Sequence, residues 1–298
     1  METTITIPNK QNIDSIFDFL DVSEATRQEY KYRIGAFVEY VKQHGMGNNS
    51  FLEYKRELAD KNELSVSTKN KYLGSARVFL KELHRQGLLP TDITHNIRSF
   101  KQDKKHKKDG LSSEEVQILS LKAHQSSKTP DNMRLKAILS LLVLQGLRQC
   151  EIVRLDYSDI DFIAKAAFIR GKGRDDKELI DLHPETIQVL KEYVRVCSVA
   201  DGPLFTSHSN NSRGRRLTTR ALRGIVQTFL KELGIEKVVH GFRHYFTTTL
   251  VKNYKGDLLQ VAKYTRHRSL EMLQVYNDNI KNKDDLPRYY DAFKEVSF

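Results

Sequence analysis

Cysteine is almost missing from this chain: 298 residues hold only Cys150 and Cys197, in no paired spacing. That scarcity excludes a disulfide framework and a Cys-x-x-Cys zinc site, and it fits a reducing compartment. Long apolar runs are missing too. The longest, Ala137 to Leu144, is interrupted by Ser140 and is too short to span a bilayer. The N-terminal METTITIPNK lacks the basic and apolar regions of a secretion signal, so a cytoplasmic protein is expected. No P-loop occurs, which leaves nucleotide hydrolysis unsupported. No Gly-x-Ser-x-Gly occurs either, and Cys150 sits beside Glu151 rather than in an electropositive turn, so a serine or cysteine hydrolase is poorly supported. No internal repeat or low-complexity tract is evident.

What the chain does have is positive charge, unevenly spread. The net charge is +11, and hydrophobics at 39% with charged residues at 29% place the chain among globular proteins rather than disordered ones. Residues 1–100 carry net +1, residues 101–110 net +3 and the remainder net +7. A polyanionic partner fits that excess; so does ordinary solubility charge.

The length suits two domains. Residues 1–100 read as a helical domain of four or five short helices. Asn12, Ser23 and Ser67 are candidate caps, a short helix fits 51–60, and Gly87 and Pro90 act as a stop. Residues 101–110, KQDKKHKKDG, have five lysines and no apolar residue. They form a linker, either a solvated hinge or a strap along a phosphate backbone. Ser112 and Glu115 make a capping-box pattern that opens a second domain, 111–298. Within it, a buried helix is expected over 131–146. Strands are expected at Asp161–Ile163, Ala167–Ile169 and Leu179–Leu182, with a Gly171-Lys172-Gly173 turn between the last two. Helices are expected from Pro184 to about Val196, then near 218–233, 240–252, 257–264 and 269–276. A tail from about Leu286, bearing Tyr289, Tyr290 and Phe293, reads as an apolar-faced helix. The fold class is mainly α with a small β-hairpin or sheet.

The chemistry-bearing set lies in this second domain: Arg148, Glu151, Lys172, His240, Arg243, His267 and Tyr276. Each alone has a plain alternative. Arg148 can simply pair with Glu151, Lys172 can be a turn residue, and Tyr276 can be a packed aromatic. His240 and His244, at i and i+4, mimic half a zinc site, but Gly241 stands where a metalloprotease needs Glu and no third ligand is evident. Together they suit attack on a phosphodiester. A phenol with pKa near 10 needs a proton acceptor at neutral pH. The charge that builds on phosphate oxygens suits paired guanidiniums with their fixed forks of donors.

These motifs resemble those of the tyrosine recombinase, or phage integrase, family, in its short Xer-type or mobile-element form. Gly146-Leu147-Arg148-Gln149-Cys150-Glu151-Ile152 is similar to the family's first arginine motif and Gly171-Lys172-Gly173 to its hairpin lysine motif. His240-Gly241-Phe242-Arg243-His244 is similar to its His-x-x-Arg motif, and His267 and Tyr276 have its spacing. Two positions depart: Thr265-Arg266-His267 replaces the usual Leu-Gly-His, and Phe242 replaces the usual Leu.

The resemblance implies a two-domain C-shaped clamp on DNA and a 3′-phosphotyrosyl intermediate on Tyr276. It gives phosphorane stabilisation to Arg148 and Arg243, a further hydrogen bond to His267 and general-acid duty to Lys172. His240 would help accept the Tyr276 proton and Glu151 would orient the site. Neither metal nor ATP is required. The implied assembly is a homotetramer on synapsed DNA, monomeric or weakly associated when free and nucleoid-associated in the cell. The tail would dock on a neighbouring subunit; packing in cis is the alternative. Expected DNA contacts are Lys69, Lys71, Lys101, Lys104, Lys105, Lys107, Lys108, Arg213, Arg215, Arg216 and Arg220. Two rival readings remain: a type IB topoisomerase and a non-catalytic architectural DNA-binding protein.

Overall fold

In the computed structural model the described residues are 13, 15–102, 110–171, 176–267, 269–291 and 294. The chain divides into two compact units between Lys104 and Lys105. Asn12 and most of the basic linker, with Lys104, Lys105, Lys107 and Lys108, lie outside the described residues, as do Lys172 and Phe293.

The first unit is helical. After a 3-10 turn at Phe17–Phe19 come α1 (Glu24–His44), α2 (Ser50–Asp60) and α3 (Val66–Arg85). Ser23 caps α1 by accepting the Thr26 N–H. The cap of α3 is Ser65, which accepts the Thr68 N–H, and not Ser67, which falls inside the helix. Two of these three are 21 and 20 residues long, where short helices were expected. Their apolar faces meet in a core of Phe17, Phe37, Phe51, Tyr54, Leu73 and Phe79. The Tyr54 ring stands edge-on to Phe37, centroids 5.0 Å apart. Asn70 brackets the exit of the unit, its amide donating to the Phe100 carbonyl at 3.0 Å and its oxygen accepting the Phe100 N–H at 2.9 Å. Arg77 donates to the Ile97 carbonyl at 2.6 Å. The segment leading to the linker is thus tied back onto α3.

The second unit opens on α4 (Ser113–Gln125), where Ser112 and Glu115 form the expected capping box. Thr129 caps α5 (Pro130–Leu144), with Pro130 in its first turn. Residues 137–142 of α5 are buried without a break, so this helix has no solvent stripe along that stretch. Next come α6 (Gln149–Arg154) and a three-stranded antiparallel sheet in the order β1 (Ile160–Asp161), β2 (Ala166–Arg170), β3 (Lys177–Asp181). Ala166 faces Asp181 and Arg170 faces Lys177 across the two longer strands. Helices α7 (Pro184–Val196), α8 (Thr219–Glu232), α9 (His240–Asn253) and α10 (Leu258–Thr265) follow. The last helix, α11, runs from Leu270 to Asp291 through Pro287, so the expected helix near 269–276 and the start of the tail are one element.

The main core gathers Ile138, Leu141, Ile152, Ile169, Leu190, Tyr193, Phe205, Leu222 and Phe242. A smaller cluster of Val251, Val261, Leu273 and Tyr276 joins α9, α10 and α11. No helix among the described residues is long and apolar enough to cross a membrane.

Candidate active site

Arg148 is the N-cap of α6, and its geometry follows from the turn before it. Gly146 has φ +57, and a Cβ there would fall 2.3 Å from the Phe246 ring of α9. Only glycine lets α5 hand over to α6 this close to α9. Glu151, in the first turn of α6 and 1% exposed, reaches back: Arg148 donates its backbone N–H to Oε2 at 2.8 Å and its Nη1 to Oε1 at 2.9 Å. The ion pair and the site position of Arg148 are therefore compatible, because a third of its side chain stays exposed. From the far end of α6, Arg154 donates to the Gly171 carbonyl at 3.2 Å, tethering the start of the lysine-bearing connection to the same helix.

Helix α9 carries the second cluster. Arg243 is buried and donates to the Gly146 carbonyl at 2.8 Å and the Thr265 carbonyl at 2.5 Å. Burial pushes its pKa down to about 10, with the charges of Arg148 and Arg266 acting in the same direction. One guanidinium thereby links the arginine turn before α6 to the end of α10. The entry of α9 is closely packed: the Leu111 N–H reaches the Gly241 carbonyl at 3.4 Å, and a Cβ on Gly110 would lie 2.8 Å from Cβ of His244.

Tyr276 projects from α11 into the small core of α9, α10 and α11 and is 7% exposed. Its hydroxyl lies 2.7 Å from Nδ1 of His244. The His240 ring stands edge-on to His244 at 4.7 Å, and the His267 ring lies 6.3 Å from that of Tyr276. Burial raises the phenol to about 12, against a lowering influence of Arg243. Tyr276 is therefore protonated at neutral pH. The turn between α9 and α10 helps fix its helix, because Gly256, at φ +81, leaves just the space that the Asn277 side chain occupies.

The structure thus brings together Arg148, Glu151, Arg243, His240, His267 and Tyr276, while Lys172 lies outside the described residues. Two contributors were missed. His244 was weighed only as half a metal site, yet it is the imidazole in contact with the phenol. Arg266, noted only as a departure from a motif, donates Nη2 to Glu151 Oε2 at 3.1 Å. The signal for His244 was its place directly after Arg243; nothing in the sequence pointed Arg266 inward.

Of the expected DNA contacts, Lys71, Lys101, Arg213, Arg215 and Arg220 are exposed. Arg216 is exposed as well, whereas Lys69 is not. Lys69 is buried and its ammonium donates to the Ala59 carbonyl at 2.7 Å, fastening α3 to α2. Arg216 is committed to the carbonyls of Val153 and Leu155, both at 3.1 Å, and to Asp156 at 2.5 Å.

Known proteins share this layout. The chain is 28% identical to the tyrosine recombinase XerD of Oceanobacillus iheyensis over 284 residues, covering 89% of this chain and 92% of that one. The XerH site-specific recombinase, in a post-cleavage complex with a palindromic difH substrate, matches with a TM-score of 0.73 at 18% identity, over 94% of this chain and 84% of that one. A lambda integrase tetramer bound to a Holliday junction matches at 0.68 and 14% identity, over 89% of this chain and 75% of that one. At such low identity these two structures speak for the fold alone. The model of the phage integrase family covers residues 111–283, the stretch that holds both arginine clusters, the histidines and the buried tyrosine. With that match the chain belongs to the phage integrase family, the tyrosine recombinases that cleave and rejoin DNA at specific sites.

Proposed function

We propose that Tyr276 is the nucleophile of site-specific strand exchange. The observation that carries this reading is the Tyr276 hydroxyl 2.7 Å from His244 Nδ1, on a phenol that also feels the charge of the buried Arg243. In the proposed reaction the phenol oxygen attacks the scissile phosphorus and its proton passes to the His244–His240 pair. The P–O5′ bond breaks, its electron pair leaves on the 5′-oxygen, and Lys172 protonates that oxygen. Arg148 and Arg243 hold the non-bridging oxygens as charge builds on them, and His267 adds a donor. Glu151 orients Arg148. A 5′-hydroxyl from the partner strand then attacks the phosphotyrosine, restoring Tyr276. The bond energy is kept in the covalent intermediate, so the residues balance the reaction without another reagent.

Both units contact the same duplex in this reading. Lys71, Lys101, Arg213, Arg215 and Arg220 contact the DNA, and the linker lysines hold its phosphates. Four copies act on two synapsed sites, as the lambda integrase tetramer does on its junction.

A duplex nicked near the scissile phosphate tests the assignment, since loss of the short 5′-hydroxyl fragment traps a covalent protein–DNA adduct. Wild type is expected to accumulate the adduct and Tyr276→Phe to form none while still binding the duplex. An adduct of undiminished yield in Tyr276→Phe would overturn the choice of nucleophile.

A further inference from the structure

Arg266 sits where an arginine is costly. It ends α10 with φ 56 and ψ 40, in the left-handed region that side chains with a Cβ avoid by about 1–2 kcal/mol. Its side chain is nonetheless drawn inward to 4% exposure, and a guanidinium cannot shed its charge there. Nη2 donates to Glu151 Oε2 at 3.1 Å, and Nε is buried without a hydrogen-bond partner. The opposite oxygen of Glu151 takes Nη1 of Arg148. One carboxylate, itself 1% exposed, therefore lies between two guanidiniums. The neighbours of Arg266 also belong to the site: the Thr265 carbonyl accepts from Arg243, and the next residue is His267.

Charge makes the arrangement intelligible. Glu151 alone would cancel Arg148 and leave Arg243 as the one uncompensated guanidinium facing the substrate. The pentavalent state of a phosphodiester carries two negative non-bridging oxygens. A third guanidinium on the far oxygen of Glu151 restores the balance, so the buried group as a whole is doubly positive. The carboxylate still sets the rotamer of Arg148 but no longer spends its charge. The Glu151 carboxyl shows the same competition: burial raises it, yet Arg266 and Arg148 together hold it below the ordinary carboxylate range.

We propose that Arg266 is a positioning residue of the phosphate site, neutralising and orienting Glu151 so that Arg148 faces the transition state with its full charge. The inference rests on the strand-exchange reading above. It predicts a loss specific to the chemical step. Glycine accepts the left-handed backbone, so Arg266→Gly is expected to fold with an unchanged or higher melting temperature and to bind the duplex within about twofold of wild type. Adduct formation at saturating protein is expected to slow about 10- to 100-fold, less than the about 100- to 1000-fold typical of removing a donor in direct contact.

The charge argument gives a second readout. Adding Glu151→Gln to Arg266→Gly removes the anion that Arg266 was balancing, so the double variant is expected to cleave faster than Arg266→Gly alone. Arg266→Lys is expected to retain more rate than the neutral Arg266→Gln, which covers the case in which the glycine variant folds poorly. Wild-type rates in Arg266→Gly, a double variant no faster than the single, or equal rates for Lys and Gln would each overturn the inference. Tyr276→Phe in parallel separates the two levels: a surviving adduct sinks the nucleophile assignment, whereas a lost adduct beside an indifferent Arg266→Gly sinks only the role of Arg266.

Discussion

Tyr276 is held in a state that cannot yet react. Its phenol is raised to about 12 by burial, so at neutral pH almost none is ionised, and in the proposed reaction attack depends on an imidazole that takes the proton as the bond forms. His244 is in contact and His240 stacks edge-on against it, which couples the two rings. Replacing either by alanine is therefore expected to slow adduct formation by about 100-fold or more, the usual worth of a positioned acid or base. His240→Ala and His244→Ala together are expected to cost less than the two losses multiplied, because a relay broken once is already broken. Single-turnover rates for the two singles and the double decide it, and strictly multiplicative losses would show that the rings act separately.

The sequence named most of this site because its members sit in short motifs whose spacing is local. It treated two readings of Arg148 as rivals, but the residue both pairs with Glu151 and stays exposed. The contacts that escaped it, Tyr276 to His244 and Arg266 to Glu151, span 32 and 115 residues, and no periodicity records such tertiary proximity.

At the level of elements, hydrophobic period located most of the helices and failed where polar residues carry structural duties. Ser65 rather than Ser67 caps α3, since both stand in the same polar stretch and only the backbone tells them apart. Lys69 looked like a surface cation but serves as a tie between helices, its stem buried and its ammonium on a carbonyl. Helix α11 continues through polar residues and Pro287 where a break was expected, because its first turns are anchored by Leu273 and Tyr276 in the small core.

The turn between α5 and α6 shows how the fold aims the chemistry. Gly146 combines φ +57 with van der Waals contact to Phe246, and its carbonyl accepts from Arg243. Gly146→Ala is expected to lower stability by about 1–3 kcal/mol through overpacking, on top of the strain of the left-handed backbone. Adduct formation should fall further than that loss of folded protein explains, because the arginine turn and its carbonyl both shift. Denaturant unfolding alongside cleavage at a temperature where the variant stays folded provides the check, and wild-type stability would show that Phe246 yields without cost.

For the whole molecule, the uneven charge is the feature with consequences. The first 100 residues are nearly neutral, so the unit built on α1 to α3 brings little general attraction to a polyanion. Much of that attraction must come from residues 101–110 and the second unit, whose excess is net +3 and +7. In the proposed function the linker lysines hold phosphates. Each phosphate neutralised releases counterions and contributes about 0.9 to the slope of log affinity against log salt. Replacing Lys104, Lys105, Lys107 and Lys108 by alanine is therefore expected to flatten that slope by up to about four units. Cognate and random duplexes should weaken alike, because a phosphate contact carries no base information. Titrations of both duplexes across a salt series measure the slope directly. A loss confined to the cognate site would mean that the linker reads sequence or sets the geometry of the specific complex. The discrimination between sites must then come from elsewhere, and exposed polar positions on the helices, such as Lys71 on α3 and Arg220 on α8, are where base-edge readout is expected.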